Sequence, residues 1–547
     1  MSAPASALDV LIIGAGQAGM AAAHRLLHKG VTNIHVVEAH PHVGGRTRNV
    51  DLATGMYDQA SDHAVELGGT WLSPNHAAFL GLCQELDIPI FRASRIDPAQ
   101  AEQGKDKQSD GDDDWPWWYW GPEYTNEEMS EQQDILLFHE TSKGANTTQK
   151  TRFRTHQQLL AALDKTTLEQ LHQAGNMIWN VSLGQQVPDL SWEAHMPGSR
   201  WDELDGYTTA AKLMPQLSTT NARNILRQVI HNKNAQEPNQ VGYLYNLLSF
   251  KGCNSDGPDN EYRVQGGTQA VPLAIAHMLG PDRLTLADPV QVIRGAASGR
   301  YQVISRSNKV YTANHLIVTG SPHAIMGLHF DNPPLPGEHA QLLQRMPMGT
   351  CRKVMAVYKR GPWWRDHGLT GDIIASHLPL ELSVPVDSTH TEDRQPIFPQ
   401  CYDTSPYSLQ YGVITCFVEG RANLYYSSLP HEKQEQLFRE FLKLSFAEYI
   451  PPGDDASGWD PDEILMHNWA DDPFARGAYT GFFGPGVLSE PAYWSAYRQM
   501  EKLPNVWIAG ADYHIGYGNG YIEGAVRSGQ LAADQIHKRM QGKSLDE

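Results

Sequence analysis

Gly14, Gly16 and Gly19 form GxGxxG in "IIGAGQAG", directly after the apolar run Val10 to Ile13, and Glu38 closes the next apolar run. Such spacing suits a dinucleotide. The first glycine permits a tight turn, the second lets backbone approach a pyrophosphate, and the third lets a helix pack closely on the strand. The phosphates then meet the helix N-terminus, and the acidic side chain accepts hydrogen bonds from ribose hydroxyls. A purely structural glycine turn would leave Glu38 unexplained. Further glycine pairs follow in "VGGRT" and "ELGGTW", where Gly44, Gly45 and Arg46 bring N–H groups and a guanidinium towards a phosphate or a flavin edge. Lys353 sits inside the apolar stretch "CRKVMAVY", where burial is costly unless the ammonium is paired. Its neighbour Arg352 points to the opposite strand face and is set aside as a ligand of the same pocket. The chain has no second GxGxxG after a strand, which favours a flavin reduced by substrate and reoxidised by oxygen or a carrier over one fed by NAD(P)H.

These residues need elements to hold them. "LDVLIIGAGQAGMAAAHRLLHKGVTNIHVVEAHPHVGGRT" reads as strand, glycine turn, helix, strand and glycine turn, a parallel βαβ unit. Residues 156 to 250 read as mainly helical, with apolar positions three and four apart. Short β-branched runs resume in "RLTLADPVQVI", "YQVISRSNKVYTANHLIVTG" and "CRKVMAVYKRGPWW". At the far end "NVWIAGADY" reads as a buried strand. It leads through "GADYHIGYGNGYIEGAVRSGQ" into a helix whose stripe is Ile522, Ala525, Val526, Gly529, Ala533, Ile536 and Met540. The polar segment from Arg95 to Thr151, with "DGDDD" beside "WPWWYW", reads as a surface insertion.

The chain has 547 residues, more than one hydrophobic core usually serves, so at least two domains are expected, interleaved or in tandem. A formal charge of −19 makes nucleic acid a poor partner and is compatible with a cationic substrate. No apolar run is long enough for a transmembrane span, the polar tail offers no membrane anchor, and the N-terminal "MSAPASALDV" does not resemble a secretory signal. The five cysteines are scattered and lack CxxC spacing, which argues against a disulfide framework and a metal site and for a reducing, cytoplasmic location.

Taken together, "IIGAGQAG", "VVEAHPHVGGRT", "ELGGTW", "RVQGGTQAV", "PMGTCRKVMAVYKRGPWW", "NWADDPFARGAY" and "IAGADY" leading to "GYIEGAVRSGQLAADQI" resemble the flavin-containing amine oxidase family of monoamine and polyamine oxidases. The blocks occur in the family's order and span nearly the whole chain. The resemblance implies an α/β fold: a Rossmann-type FAD-binding domain (1–80, 258–335 and 466–547) interleaved with an α+β substrate domain (81–257 and 336–465). It implies FAD contacts from Gly14, Gly16, Gly19, Glu38, Ala39, Gly45, Arg46, Gly69, Thr70, Trp71, Val290, Trp469, Gly510, Asp512, Tyr521 and Ile522. It implies a lysine, Lys353, that holds a water against the flavin and assists reaction with oxygen. Tyr479 and Tyr521 match the two aromatic residues flanking the approach to the flavin. Where mammalian relatives carry a cysteine bound to FAD, this chain has Ala478, so noncovalent FAD is expected.

The implied reaction oxidises an amine's C–N bond to an imine, which water converts to an aldehyde plus ammonia or amine, while O2 becomes H2O2. Related oxidases acting on an L-amino acid, a polyamine or an alkaloid-type intermediate are alternatives; a flavin-binding protein without turnover is a third. Relatives are often dimeric, so a homodimer is one expected state. His514 and Tyr517 receive no role.

Overall fold

The computed structural model describes residues 7–93, 134–141, 147–154, 156–182, 199–251, 260–386, 393–450 and 458–544. The buried strand Leu8–Ile13 lies parallel to Ile34–Val37, pairing Val10 with Ile34 and Ile13 with Val37. The helix Gln17–His28 runs between them. This is the expected βαβ unit. On its other side Leu8–Ile13 pairs with the long strand Val310–Thr319.

That strand organises a nine-stranded sheet. Its first half pairs antiparallel with Tyr301–Ser305, and its second half pairs parallel with Val506–Ala509. Strands from the front, middle and end of the chain therefore share one sheet. The helix Ile522–Met540 returns across it and packs against Gln17–His28. Gly529 permits that crossing, because a Cβ there would lie 2.0 Å from the Ala18 carbonyl oxygen. Ala525, Val526, Gly529, Ala533 and Ile536 are buried as the stripe predicts. Met540 is 42% exposed, since the last turn runs past the body it packs on.

A second sheet has seven strands, in the order Glu463–Asn468, Cys351–Tyr358, Gly412–Glu419, Gln400–Asp403, Leu369–Ala375, Asp134–Glu140 and Thr148–Phe153. The last two correct the reading of 95–151 as insertion throughout. "DILLFHE" buries Ile135 to His139 as a sheet strand, its short apolar run having been masked by the polar residues before it. Residues 94–133, including "DGDDD" and "WPWWYW", lie outside the described residues.

The cysteine reading is also corrected. Cys401 and Cys416 are directly opposite each other on neighbouring antiparallel strands and form a disulfide. Their separation of 15 residues carried no motif signal, because strand register rather than spacing brings them together.

Candidate active site

A cavity of about 580 Å³ runs between the two sheets, within the size range of cofactor and substrate pockets. At one end Gly14, Gly16, Gln17 and Ala18 meet Gly44, Gly45 and Arg46. Gly14 has φ +100° and Gly45 +58°, and a Cβ on Gly45 would lie 3.2 Å from the Gly16 Cα, so the crossing of these loops needs glycine. Gly19 does not line the cavity; a Cβ there would meet the Gly14 carbonyl at 2.0 Å, so it serves the close packing of helix on turn. Glu38 accepts from Ala15 N–H at 2.5 Å and His40 N–H at 2.8 Å, which clamps the turn to the end of the second strand. Burial pushes its carboxyl above the usual range, and those same N–H bonds pull it back. Ala39 and Val290 line the cavity on this side.

Two helices aim their N-termini into this space. Gln17–His28 starts at Gly16 and Ile522–Met540 starts at Tyr521, and neither carries a side-chain cap. Their first N–H groups, next to cavity-lining Gly16, Gln17 and Ile522, suit the anionic groups of a dinucleotide. The residues present thus fit FAD: a glycine-walled cradle, N–H donors at both ends and the Glu38 carboxylate as acceptor.

Arg46 extends along the wall and donates to the Tyr479 carbonyl at 2.7 Å and to both carboxylate oxygens of Asp512, at 3.1 and 2.5 Å. Asp512 is fully enclosed and also accepts from Thr480 Oγ1 at 2.9 Å and Gly481 N–H at 2.7 Å. It stands behind the cavity surface, whereas Gly510 and Ala511 line it. Asp512 is therefore placed to orient Arg46 and the segment carrying Tyr479. His514 and Tyr517 do not line the cavity either; His514 Nε2 lies 3.0 Å from the Tyr517 carbonyl.

At the other end the second sheet supplies its face. Lys353 and Phe417 are directly paired across neighbouring strands, so both side chains stand on one side. Lys353 Nζ donates to the Glu66 carbonyl at 3.1 Å, the Gly68 carbonyl at 2.6 Å and Thr70 Oγ1 at 2.6 Å. The pairing that burial demanded is thus provided by "ELGGTW". Burial lowers the ammonium to about 8, opposed by the charge of Glu66. A water held at Nζ would have to replace one of these three acceptors. Arg352 faces away, onto Asn423, Gln434 and Ser427, as strand alternation requires.

Gly69, Thr70, Trp71, Trp469, Tyr479 and Tyr521 line the cavity beside Lys353. Trp469 is fixed by its indole N–H on the Leu67 carbonyl at 2.9 Å. Burial drives the Tyr479 phenol well above its usual range, helped by Cys351 and Glu419, so it stays protonated. Ala478 also faces the cavity, as does Cys351, whose thiol burial holds well above its ordinary value.

Comparison with known proteins adds the chain's family. A model of the "Flavin containing amine oxidoreductase" family matches residues 17–175 and 235–537. The chain belongs to this family. Among similar proteins is "Amine oxidase [flavin-containing] B" of Homo sapiens, 24% identical over 539 residues that cover 96% of this chain and 86% of that one. "Amine oxidase [flavin-containing] A" of Equus caballus is 25% identical and covers 96% and 84%. A putrescine oxidase bound to putrescine superposes with a TM-score of 0.73 at 23% identity, covering 98% of this chain and all of the other. The cyclohexylamine oxidase of Brevibacterium oxydans IH-35A gives 0.73 at 21% over the same shares.

Several wall residues of this amine oxidoreductase escaped the motif reading: Asn232, Lys233, Tyr402, Phe417 and Cys351. Asn232 and Lys233 end the helix Thr220–Asn234, which reads as ordinary amphipathic helix; only its packing shows which end reaches the cavity. Phe417 was accessible in principle through its register opposite Lys353, but register cannot be read from one strand alone.

Proposed function

We propose that the protein binds FAD noncovalently and oxidises an amine, with O2 as electron acceptor. For a primary amine the sum is amine, O2 and water giving aldehyde, ammonia and H2O2. The observation that carries this reading is that the glycine cradle, Lys353, Tyr479 and Tyr521 all border one continuous cavity.

FAD, when bound, supplies the two-electron acceptor for the C–N bond. The chain's own residues do the rest. The turn at Gly14–Gly16 and the two helix N-termini would hold the anionic groups, and Arg46 fixes the Tyr479 backbone. Tyr402, Phe417, Tyr479 and Tyr521 exclude water from the amine's approach and offer ring faces to its nitrogen. Because the Tyr479 phenol stays protonated, it can orient a neutral amine but cannot take its proton. Lys353 holds a proton at Nζ below about pH 8, next to where oxygen must be received. We assign the nine-stranded sheet with its helices to cofactor binding, from 1–80, 258–335 and 466–547, and the remainder to substrate binding. Glu463–Asn468 straddles that last boundary.

Two measurements test this. Primary arylalkylamines, secondary amines, polyamines and amino acids are screened for peroxide; at least one class should give peroxide in step with amine loss, and silence across the panel would defeat the proposal. Acid precipitation should leave the yellow flavin in the supernatant, and a yellow pellet would refute noncovalent attachment.

A further inference from the structure

Away from the cavity, the helix Gln17–His28 ends among side chains to which amine oxidation gives no task. Among the described residues, one set of histidine, cysteine or carboxylate side chains brings three ligand atoms within 4.8 Å of one another: His24, His28 and Glu85. His24 and His28 are four residues apart, so both rings stand on one helix face, with centroids 4.2 Å apart. Glu85 closes a second helix, Ala77–Glu85, and its Oε2 lies 3.8 Å from His24 Nδ1. The spacing in "HRLLH" thus supplies two nitrogen donors from one element, and the carboxylate comes from another. No thiolate is needed, so the scattered cysteines do not bear on this cluster.

The three groups differ in how they are held. His24 is buried, 3% exposed, and its ring makes no hydrogen bond among the described residues; Glu85 is its ionic neighbour. Burial, followed by the charge of His28, holds its imidazole below the ordinary range, which leaves a lone pair free at neutral pH. His28 and Glu85 are exposed and can shift towards it. A tetrahedral ion with bonds of about 2.0–2.2 Å sets its ligands ~3.4 Å apart, so a small side-chain movement completes the set. Arg25, whose charge reaches both His24 and Glu85, has its guanidinium committed to Asp534 at 2.9 and 3.1 Å. Lys29 is paired with the same carboxylate at 3.1 Å. Neither cation therefore occupies Glu85. Two imidazoles and one carboxylate suit a borderline transition metal and offer little to Mg2+ or Ca2+, which prefer all-oxygen shells.

We infer that His24, His28 and Glu85 form a site for a divalent transition metal of the zinc class, with water completing its coordination, and that the ion staples Gln17–His28 to Ala77–Glu85. The other two sides of this three-helix corner are already tied. Arg25 and Lys29 join the first helix to Asp534 of Ile522–Met540, and Glu523 of that last helix accepts from the Ala78 and Phe79 N–H groups at 3.0 and 2.9 Å. Gly16 and Ile522, where two of these helices begin, line the cavity. The ion therefore acts on the frame around the cofactor and takes no part in the redox step.

The test uses the flavin-loaded protein without a polyhistidine tag, freed of metal by a chelator, with Zn2+ as the probe. Calorimetric titration should show one equivalent of Zn2+ bound more tightly than any other, and excess Mg2+ or Ca2+ should not displace it. His28→Ala and Glu85→Gln, both at exposed positions, should each weaken that equivalent by roughly a hundredfold, with an unchanged visible flavin spectrum certifying the fold. Saturating Zn2+ should raise Tm of the parent by roughly 2–4 °C and slow its loss of flavin on dilution, and should do neither in the variants. A parent without a tight equivalent, or variants that keep it, would overturn the site. Tight binding that leaves both Tm and flavin loss unchanged would overturn the staple. Neither readout depends on turnover, so the outcome is separate from that of the amine panel.

Discussion

Lys353 shows how one side chain's environment sets its chemistry. Its strand is apolar, yet three oxygens from "ELGGTW" meet its ammonium, and the cost of burial survives as a depression to about 8. The proton is therefore present at neutral pH and lost as pH rises through about 8. Oxygen-limited turnover should decline across that range in the parent. Lys353→Met should lower it by roughly tenfold or more and remove the inflection, which a pH series of kcat/KM for oxygen will show. Because the folded value lies below that of an unfolded lysine, at roughly 10.4, the folded state resists protonation. The associated stability penalty is full below about pH 8 and fades as pH climbs towards the unfolded value. Arg46 makes a second case. Arg46→Lys cannot hold both oxygens of buried Asp512 and the Tyr479 carbonyl together. Flavin affinity should weaken roughly tenfold or more, measured by fluorescence titration of the apoprotein. Both residues were legible in the sequence as candidates. Their partners were not, since Asp512 lies 466 positions from Arg46 and reads as a direct cofactor ligand until the geometry places it behind the guanidinium.

At the scale of elements, two contacts decide whether the site closes. The first is the crossing of Gln17–His28 and Ile522–Met540, where Gly529 admits the Ala18 carbonyl. Gly529→Ala should push the helices apart, lower Tm and release flavin, whereas retention of flavin with an unchanged Tm would show that the crossing tolerates a methyl. The second is the Cys401–Cys416 bond, which joins the strands bearing Tyr402 and Phe417 but lies on the face away from the cavity, beside Val354 and Val418. Closing a loop of this length stabilises by about 3 kcal/mol in the chain-entropy account. Cys401→Ala with Cys416→Ala should lose about that much in denaturant unfolding and raise substrate KM as the wall loosens. The helical and sheet elements were largely readable from periodicity and from glycine turns. The disulfide and the strand Asp134–Glu140 were not, because both depend on which strands become neighbours, a tertiary fact that local pattern does not carry.

Across the whole molecule, chain ends that are far apart in sequence build one site. Val506–Ala509 joins the sheet beside Val310–Thr319, and the final helix then lies on the first, so the two glycine-rich loops border one cavity. That arrangement was foreseeable from the order of the motif blocks, whereas other parts of the cavity wall were not, since Asn232, Lys233 and Tyr402 come from stretches with no chemical signature. Among the described residues no helix is long and apolar enough to cross a membrane. Amine oxidation requires that this cavity pass electrons from an amine to its cofactor. The direct measurement is anaerobic titration of the flavin-loaded protein with amines, followed by absorbance near the yellow flavin band. Stoichiometric bleaching by an amine, reversed on admitting air with release of peroxide, is the predicted result. A flavin band that stays intact with every amine class would contradict amine oxidation at this site.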